Sequence, residues 1–127
     1  MEGKYVEDSE QLVFEIYVNN VLQSLDFYTQ LGFSISRADA KFAVLLWEDS
    51  MLFLEAVPDP PELPDQVAGN IRIMVHDVEA LWDLVRAKKI PVLKAIADRD
   101  YGLRDFTILS PDGIGLRFAS RKISAGR

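Results

Sequence analysis

Two segments of this chain repeat one another. The phrase IYVNNV, from Ile16 to Val21, recurs as IMVHDV, from Ile73 to Val78, at a constant shift of 57 residues. The shift persists further along, because Phe33-Ser-Ile35 aligns with Ile90-Pro-Val92. A repeat of this extent covers a strand, a helix and a second strand, which is one supersecondary unit. We therefore expect one small domain built from two similar halves.

Composition limits the class of protein. A chain of 127 residues, 49% of them hydrophobic and 27% charged, suits one compact domain with a substantial core. No apolar run approaches the ~20 residues that a bilayer span needs. The first residues are acidic where a secretory signal would be basic and then apolar, and cysteine is absent. These features predict a cytoplasmic protein without disulfides, thiolate chemistry or a membrane partner.

The net charge bears on the class of ligand. A formal charge of −6 disfavours a general basic face for nucleic acid, because such binding depends on lysine and arginine neutralising phosphates. Cationic ligands are the more natural partners on charge alone. A moderate negative charge also serves solubility without any role in binding.

Hydrophobic periodicity places the elements of the first half. Alternation from Leu12 to Val18 predicts a strand, and Val21 to Leu31 predicts a helix with Asn20 as its N-cap and Gly32 at its C-terminal end. The apolar stripe of this helix is expected to contain Leu22, Leu25 and Tyr28. Three strands should follow, at Phe33 to Arg37, Lys41 to Trp47 and Met51 to Ala56, with Asp49-Ser50 as the last turn.

The second half repeats this order. A proline-rich connector from Pro58 to Asp65 leads to a strand at Asn70 to Val75 and to a helix capped by Asp77. The core side of that helix is expected to consist of Val78, Leu81, Trp82 and Val85. The remaining strands are predicted at Val92 to Ala97, Leu103 to Leu109 and Ile114 to Ser120, with Pro111-Asp112-Gly113 as a tight turn.

Three phrases in this sequence resemble a known family. Leu25-Asp-Phe-Tyr28, Leu31-Gly-Phe33 and Pro111-Asp-Gly113 are similar to phrases of the glyoxalase/bleomycin resistance family, in the vicinal oxygen chelate (VOC) superfamily. The resemblance implies an α+β fold of two βαβββ modules whose mixed sheets curve into a cup, completed in a homodimer. The expected organisation is an N-terminal extension 1–10, a VOC-type domain 11–120 (module 1, 11–57; connector 58–68; module 2, 69–120) and a tail 121–127.

Many members of that family hold a divalent cation with four His, Glu or Gln side chains. Carried onto this chain by the resemblance, the four positions fall on Val13, Phe53, Asn70 and Arg117. Two of these side chains have no lone pair, one is a weak amide donor and one is cationic, whereas such metals need several carboxylates or imidazoles. We therefore expect no metal site and no cofactor, and no metal-dependent glyoxalase or dioxygenase chemistry.

Strand alternation predicts which side chains line the cup. If Val13 and Asn70 face inward, so do Glu15, Tyr17 and Arg72. The opposite, helix-facing set is almost wholly apolar: Phe14, Ile16, Val18, Leu52, Leu54, Ile71, Ile73, Val75, Leu116 and Phe118. The inward charges are Glu15, Glu55, Arg72 and Arg117. They are weak candidates for catalysis, and ion pairs among them are an equally good interpretation.

The candidate ligand-binding residues are Tyr17, Trp47, Phe53, Asn70, Arg72, Tyr101 and Arg117. Trp47 is placed either to stack on a flat or cationic ligand or to pack at the rim of a hairpin. Tyr101 lies in a segment, Asp98 to Asp105, that resembles a loop bordering the ligand crevice in drug-sequestering members of the family, or it belongs to an ordinary solvated loop.

Two functions of different classes remain. The first is a metal-free protein that binds and sequesters a small cationic or aromatic molecule in a crevice of a homodimer, like bleomycin resistance proteins. The second is a VOC-type lyase, isomerase or dioxygenase acting on a small oxygenated substrate, with a departed or absent metal site. That enzyme would use Glu15 or Glu55 as a general base and Arg72 or Arg117 to stabilise an oxyanion. The sequence does not identify the ligand.

Overall fold

The computed structural model of the protein describes residues 3–60, 62–63 and 65–122. The chain divides into two compact units, residues 1–62 and 63–127. The boundary falls within the connector expected at 58–68, of which positions 61 and 64 lie outside the described residues. The C-terminal tail expected after residue 120 lies outside them from position 123 onward.

Among its described residues, the first unit contains one four-stranded sheet and two helices. Its elements are α1 (Asp8–Gln11), β1 (Phe14–Val18), α2 (Val21–Leu31), β2 (Ser34–Ala38), β3 (Phe42–Trp47) and β4 (Ser50–Ala56). The sheet order is β1-β4-β3-β2, with β1 parallel to β4 and the other pairs antiparallel. The short α1 was not predicted, because it buries no side chain and so leaves no apolar periodicity in the sequence.

The second unit repeats the arrangement. Its elements are β5 (Asn70–Met74), α3 (Val78–Ala87), β6 (Val92–Asp98), β7 (Leu103–Leu109) and β8 (Gly115–Arg121). The sheet order is β5-β8-β7-β6, with β5 parallel to β8. The predicted α+β fold of two βαβββ modules with mixed sheets is confirmed. Among the described residues no helix is long and apolar enough to cross a membrane.

Both principal helices begin where the sequence predicts, and α2 also ends at Leu31 as predicted. The Asn20 side chain accepts a hydrogen bond from the Gln23 N–H at 3.1 Å, and the Asp77 carboxylate accepts one from the Ala80 N–H at 3.0 Å. Each bond satisfies an N–H that the first turn of a helix leaves without a partner. The caps therefore fix the position at which each module turns from its first strand into its helix.

Replacing Asn20 by alanine is expected to lower the free energy of unfolding by about 1 kcal/mol, because the Gln23 N–H loses its acceptor. Urea denaturation measures this change. Asn19→Ala is the matched control, since no cap bond is made by that neighbouring exposed asparagine. Equal effects of the two substitutions would show that the cap bond contributes nothing.

The helix-facing side of each sheet forms the core. Ile16, Leu54, Leu116 and Phe118 are each at most 2% exposed, as their alternation predicts. Phe14, the first residue of β1, belongs to the same predicted set but is 49% exposed.

The buried stripe of α2 differs from the predicted one. It consists of Val21, Ser24, Leu25, Tyr28 and Leu31, whereas Leu22 is 62% exposed. On α3, Val78 and Val85 are buried as predicted, but Leu81 and Trp82 are only half-buried.

The turn between β3 and β4 lies one residue earlier than predicted. Trp47 pairs with Ser50, so the two residues between them, Glu48 and Asp49, form the turn and Ser50 already belongs to β4. Glu48 has a φ of 51°, the left-handed conformation that a two-residue hairpin turn requires.

Candidate functional site

Four side chains form a line across the second sheet. Register pairs join Lys94 on β6 to Thr107 on β7, Thr107 to Arg117 on β8, and Arg117 to Arg72 on β5. Residues paired in this way point to the same face of a sheet. We call Lys94, Thr107, Arg117 and Arg72 the basic row. It lies on the face opposite to the one that packs on α3.

The first sheet carries a corresponding line of different chemistry. There the register joins Arg37, Val44, Phe53 and Glu15 in the same strand order. Glu15 and Arg72 are separated by the 57-residue shift of the repeat, so Phe53 and Arg117 occupy equivalent positions in the two modules. This equivalence of Phe53 and Arg117 supports the assignment of two of the family's metal positions to these residues.

Arg117 is held by two neighbours. Its Nη1 lies 3.7 Å from Asp105 Oδ2 and 3.4 Å from the Tyr101 hydroxyl oxygen, to which it donates. Its guanidinium carbon lies 5.8 Å from the centre of the Tyr101 ring, within the range of a cation–π contact. Its Nε is buried and has no hydrogen-bond acceptor among the described residues.

Asp105 is the buried anchor of this arrangement. Its side chain is 1% exposed, and both carboxylate oxygens accept hydrogen bonds, Oδ1 from Arg99 Nε at 2.8 Å and Oδ2 from the Tyr101 hydroxyl at 2.7 Å. Arg99 also donates from Nη2 to the Ala95 carbonyl at 2.7 Å. The network therefore joins β6, the following loop and β7, and fixes the groups around Arg117.

This network shifts the pKa values of Asp105 and Tyr101. Burial raises the pKa of Asp105, but the hydrogen bonds from Tyr101 and Arg99 and the charges of Arg99 and Arg117 lower it further, so it lies below its usual value. The hydrogen bond to Asp105 raises the pKa of Tyr101 above its usual value. At neutral pH the carboxylate is therefore ionised and the phenol keeps its proton.

The side chains at the family's metal positions do not fit a divalent ion. The Phe53 ring packs against Phe42 at 5.2 Å between centroids, and Arg117 brings a positive charge. Val13 lies just before β1, and Asn70 offers a single amide oxygen. Within the part of the chain that the structure describes, no three His, Asp or Glu side chains are grouped so that they could hold a metal. A guanidinium at this position would repel a divalent cation.

Tyr17 and Phe53 lie on the same face of the first sheet, because Tyr17 pairs with Glu55 and Glu15 pairs with Phe53. Tyr17 is 52% exposed, so its ring is open to contact. This face of the first sheet therefore combines aromatic rings with the carboxylates of Glu15 and Glu55. Neither of these two carboxylates forms an ion pair with another described residue.

Trp47 does not join that face. It alternates with Leu45 and Ala43, which are fully buried on the helix side, and its ring packs on Phe33 at 5.0 Å between centroids. Of its two predicted roles, packing at the end of the hairpin is the one that this geometry favours. Val44 pairs with Phe53 and shares its face. Trp47 lies an odd number of residues from Val44 on the same strand, so its side chain points to the opposite face.

Several members of the site were not predicted from the sequence. Arg117 pairs with Asp105 and not with the predicted carboxylates Glu15 or Glu55. Lys94 and Thr107 were also overlooked. A signal for Thr107 was present, since the Pro111-Asp112-Gly113 turn sets the pairing of β7 with β8 and hence places Thr107 opposite Arg117.

A cleft in the second unit is a weaker candidate for a binding site than the basic row. A cleft of about 380 Å³ lies beside the start of α3, between that helix and the ends of β6, β7 and β8. Arg104 in this cleft is already bonded to Glu79 and, at 3.1 Å, to Asp98. The Ser120 hydroxyl accepts from the Val78 N–H and donates to the Val75 carbonyl. These groups satisfy one another, so the basic row is the stronger candidate.

Residues 11–118 match the model of the Glyoxalase/Bleomycin resistance protein/Dioxygenase superfamily. The chain belongs to this superfamily. A comparison with curated proteins gave no significant match.

Solved structures share the fold at low sequence identity. A glyoxalase/bleomycin resistance protein/dioxygenase from Nocardioides is 18% identical, with a TM-score of 0.71 over 94% of this chain and 88% of that chain. TioX from Micromonospora sp. ML1 is 14% identical, with a TM-score of 0.70 over 91% of this chain and 99% of that one. A bleomycin-binding protein complexed with bleomycin is 21% identical, with a TM-score of 0.64 over 89% and 99%.

Proposed function

We propose that this protein binds and sequesters a small molecule without a metal ion, on the face of the second sheet that carries the basic row. The observation that carries the proposal is Arg117. It stands where the family resemblance assigns a metal ligand, and Asp105 and Tyr101 hold it there. The similarity in fold to a bleomycin-binding protein supports the class of function. A role in antibiotic resistance is part of the same proposal.

The competing proposal is a lyase, isomerase or dioxygenase with Glu15 or Glu55 as base. Such an enzyme needs a carboxylate that is free to take a proton from substrate beside an arginine that can meet the oxyanion. The carboxylate that contacts Arg117 is Asp105, and both of its oxygens already accept hydrogen bonds. Binding without chemistry is therefore the better supported function.

We also propose that the protein is a cytoplasmic homodimer. Each sheet has four strands and is open, so that its two outer strands present backbone groups that a partner can cover. Light scattering coupled to gel filtration is expected to give twice the mass of the chain. A monomer at micromolar concentration would contradict the proposal.

Thermal unfolding tests the metal-free function. Nickel, zinc, manganese and iron are each expected to change the midpoint by less than about 1 °C, because a ligand stabilises only if it prefers the folded state. A panel of small aromatic molecules, bleomycin and other antibiotics included, should contain at least one compound that raises the midpoint in a saturable manner. A saturable rise with a metal, reversed by chelator, would overturn the proposal.

A further inference from the structure

We infer that the basic row binds an oxyanion group of the ligand, a carboxylate or a phosphate. This inference rests on the proposed function and adds to it the chemistry of the ligand. It differs from the cationic ligand that net charge alone favours. The reason lies in how charge is distributed on this one face of the second sheet.

The two arginines of the row are cross-strand neighbours of like charge. Arg72 and Arg117 are register partners on adjacent parallel strands, which lie ~4.8 Å apart in a sheet. Like charges placed opposite one another destabilise a sheet. Arg72 forms no ion pair with another residue in the described ranges, so an anion between the two guanidiniums would remove an unfavourable contact.

The Asp105 carboxylate does not neutralise the positive charge of the basic row. Asp105 is shared between Arg99 and Arg117, at 2.8 and 3.7 Å. Lys94, at the other end of the row, likewise has no acidic partner among residues 3–60, 62–63 and 65–122. The row therefore carries excess positive charge on a chain of net charge −6. Screening limits the influence of distant charges to roughly 8 Å, so the row determines what binds directly against it.

Arg117 supplies donors that are already oriented, and Thr107 adds a neighbouring hydroxyl. The contacts to Asp105 and Tyr101 fix the Arg117 guanidinium, so little side-chain freedom remains to be lost on binding. Its Nε–H has no acceptor among the described residues, and a buried donor in that state is unfavourable. The Thr107 hydroxyl, the next member of the row, also forms no hydrogen bond within the described part of the chain. Forked arginine donors match the geometry of carboxylate and phosphate oxygens.

Arginine side-chain NMR spectra of the full chain test the inference directly. We would titrate sodium benzoate and inorganic phosphate separately, with sodium chloride at matched ionic strength as the reference. The Nε–Hε resonance of Arg117 is expected to shift in a saturable manner with at least one oxyanion and not with chloride. Preference for benzoate identifies a carboxylate ligand, and preference for phosphate identifies a phosphorylated one.

Substitutions provide the matched comparison. Arg72→Gln is expected to weaken binding of the effective oxyanion about tenfold, because one charge-assisted contact is lost. Arg37→Gln removes the same charge from the corresponding row of the first sheet and should leave the affinity within about twofold. Both residues are exposed, so each variant is expected to fold.

The outcomes separate this inference from the proposed function. No saturable shift with either oxyanion, or equal losses in Arg72→Gln and Arg37→Gln, would overturn the oxyanion site. If neither oxyanion gives a saturable shift while a neutral or cationic compound stabilises the wild type and Arg72→Gln equally, the oxyanion site is wrong but metal-free binding stands. If a divalent metal stabilises the protein while oxyanion binding still depends on Arg72, the proposed function fails and the oxyanion site stands.

Discussion

Replacing Asp105 by alanine is expected to lower the free energy of unfolding by about 3 to 5 kcal/mol, because it leaves a mostly buried guanidinium without its counter-ion. The Arg99 side chain is 17% exposed and loses its 2.8 Å partner. Tyr101 loses the acceptor of its hydroxyl. Chemical denaturation followed by tryptophan fluorescence measures the change.

Asp98→Ala is the matched control for this prediction. Asp98 also pairs with an arginine, Arg104 at 3.1 Å, but its side chain is 62% exposed. Exposed pairs of this kind contribute at most about 1 kcal/mol. If both variants lose equal stability, burial of the Asp105 network is not what stabilises the second module.

Asp105 is also expected to account for part of the decrease in the free energy of unfolding at acid pH. Because the pKa of Asp105 is lower in the folded protein than its ordinary value of 3.8, ionisation stabilises the fold at higher pH. That stability is lost as the pH falls below the ordinary value and through the lower folded one. A plot of unfolding free energy against pH should therefore be flatter in this acidic window for Asp105→Ala than for the wild type.

Replacing Gly32 by alanine is expected to lower the free energy of unfolding by about 3 kcal/mol, since backbone strain and overpacking act together. Gly32 ends α2 with a φ of 126°, a conformation that residues with a Cβ rarely adopt. An added Cβ would lie 2.8 Å from Trp47 Cη2 and 3.0 Å from Cζ3. The tryptophan is itself packed on Phe33, so it has little freedom to move aside.

Gly102→Ala separates the two causes. Gly102 has a φ of 90°, but an added Cβ there would meet nothing within 4 Å. Gly102→Ala is expected to lower the free energy of unfolding by about 1 kcal/mol, from backbone strain alone. Trp47→Leu combined with Gly32→Ala should restore part of the loss, and strict additivity of those two substitutions would refute the proposed steric contact.

Much of the fold follows from local sequence signals. The 57-residue repeat predicts two βαβββ modules, and Asn20 and Asp77 mark the starts of both long helices because their side chains cap them. The turn at Pro111-Asp112-Gly113 fixes the position of Arg117 on β8. The caps and the turn depend on neighbours within a few residues, and the repeat is visible by comparing the two halves of the sequence, which is why the sequence predicts them.

The site is less predictable because its contacts cross strands. The sequence around Asp105, Glu15 and Glu55 does not indicate which of these carboxylates pairs with Arg117. The pairing with Asp105 depends on the loop that brings Tyr101 over β7 and β8. Register shifts in β6, between Val92 and Lys94 and between Lys94 and Ala97, also obscure which residues of this strand share a face with Thr107. Trp47 was ambiguous for the same reason, because a shift of one residue in the turn reverses its side.

The parallel pairing within each module affects how fast it folds. β1 meets β4, with Phe14 opposite Leu52, whereas β2, β3 and β4 join through short turns. Contacts between distant parts of a chain form slowly, because closing a long loop costs entropy before any contact compensates it. The three-stranded meander should therefore assemble first in each half, and docking of the first strand onto the last should set the refolding rate.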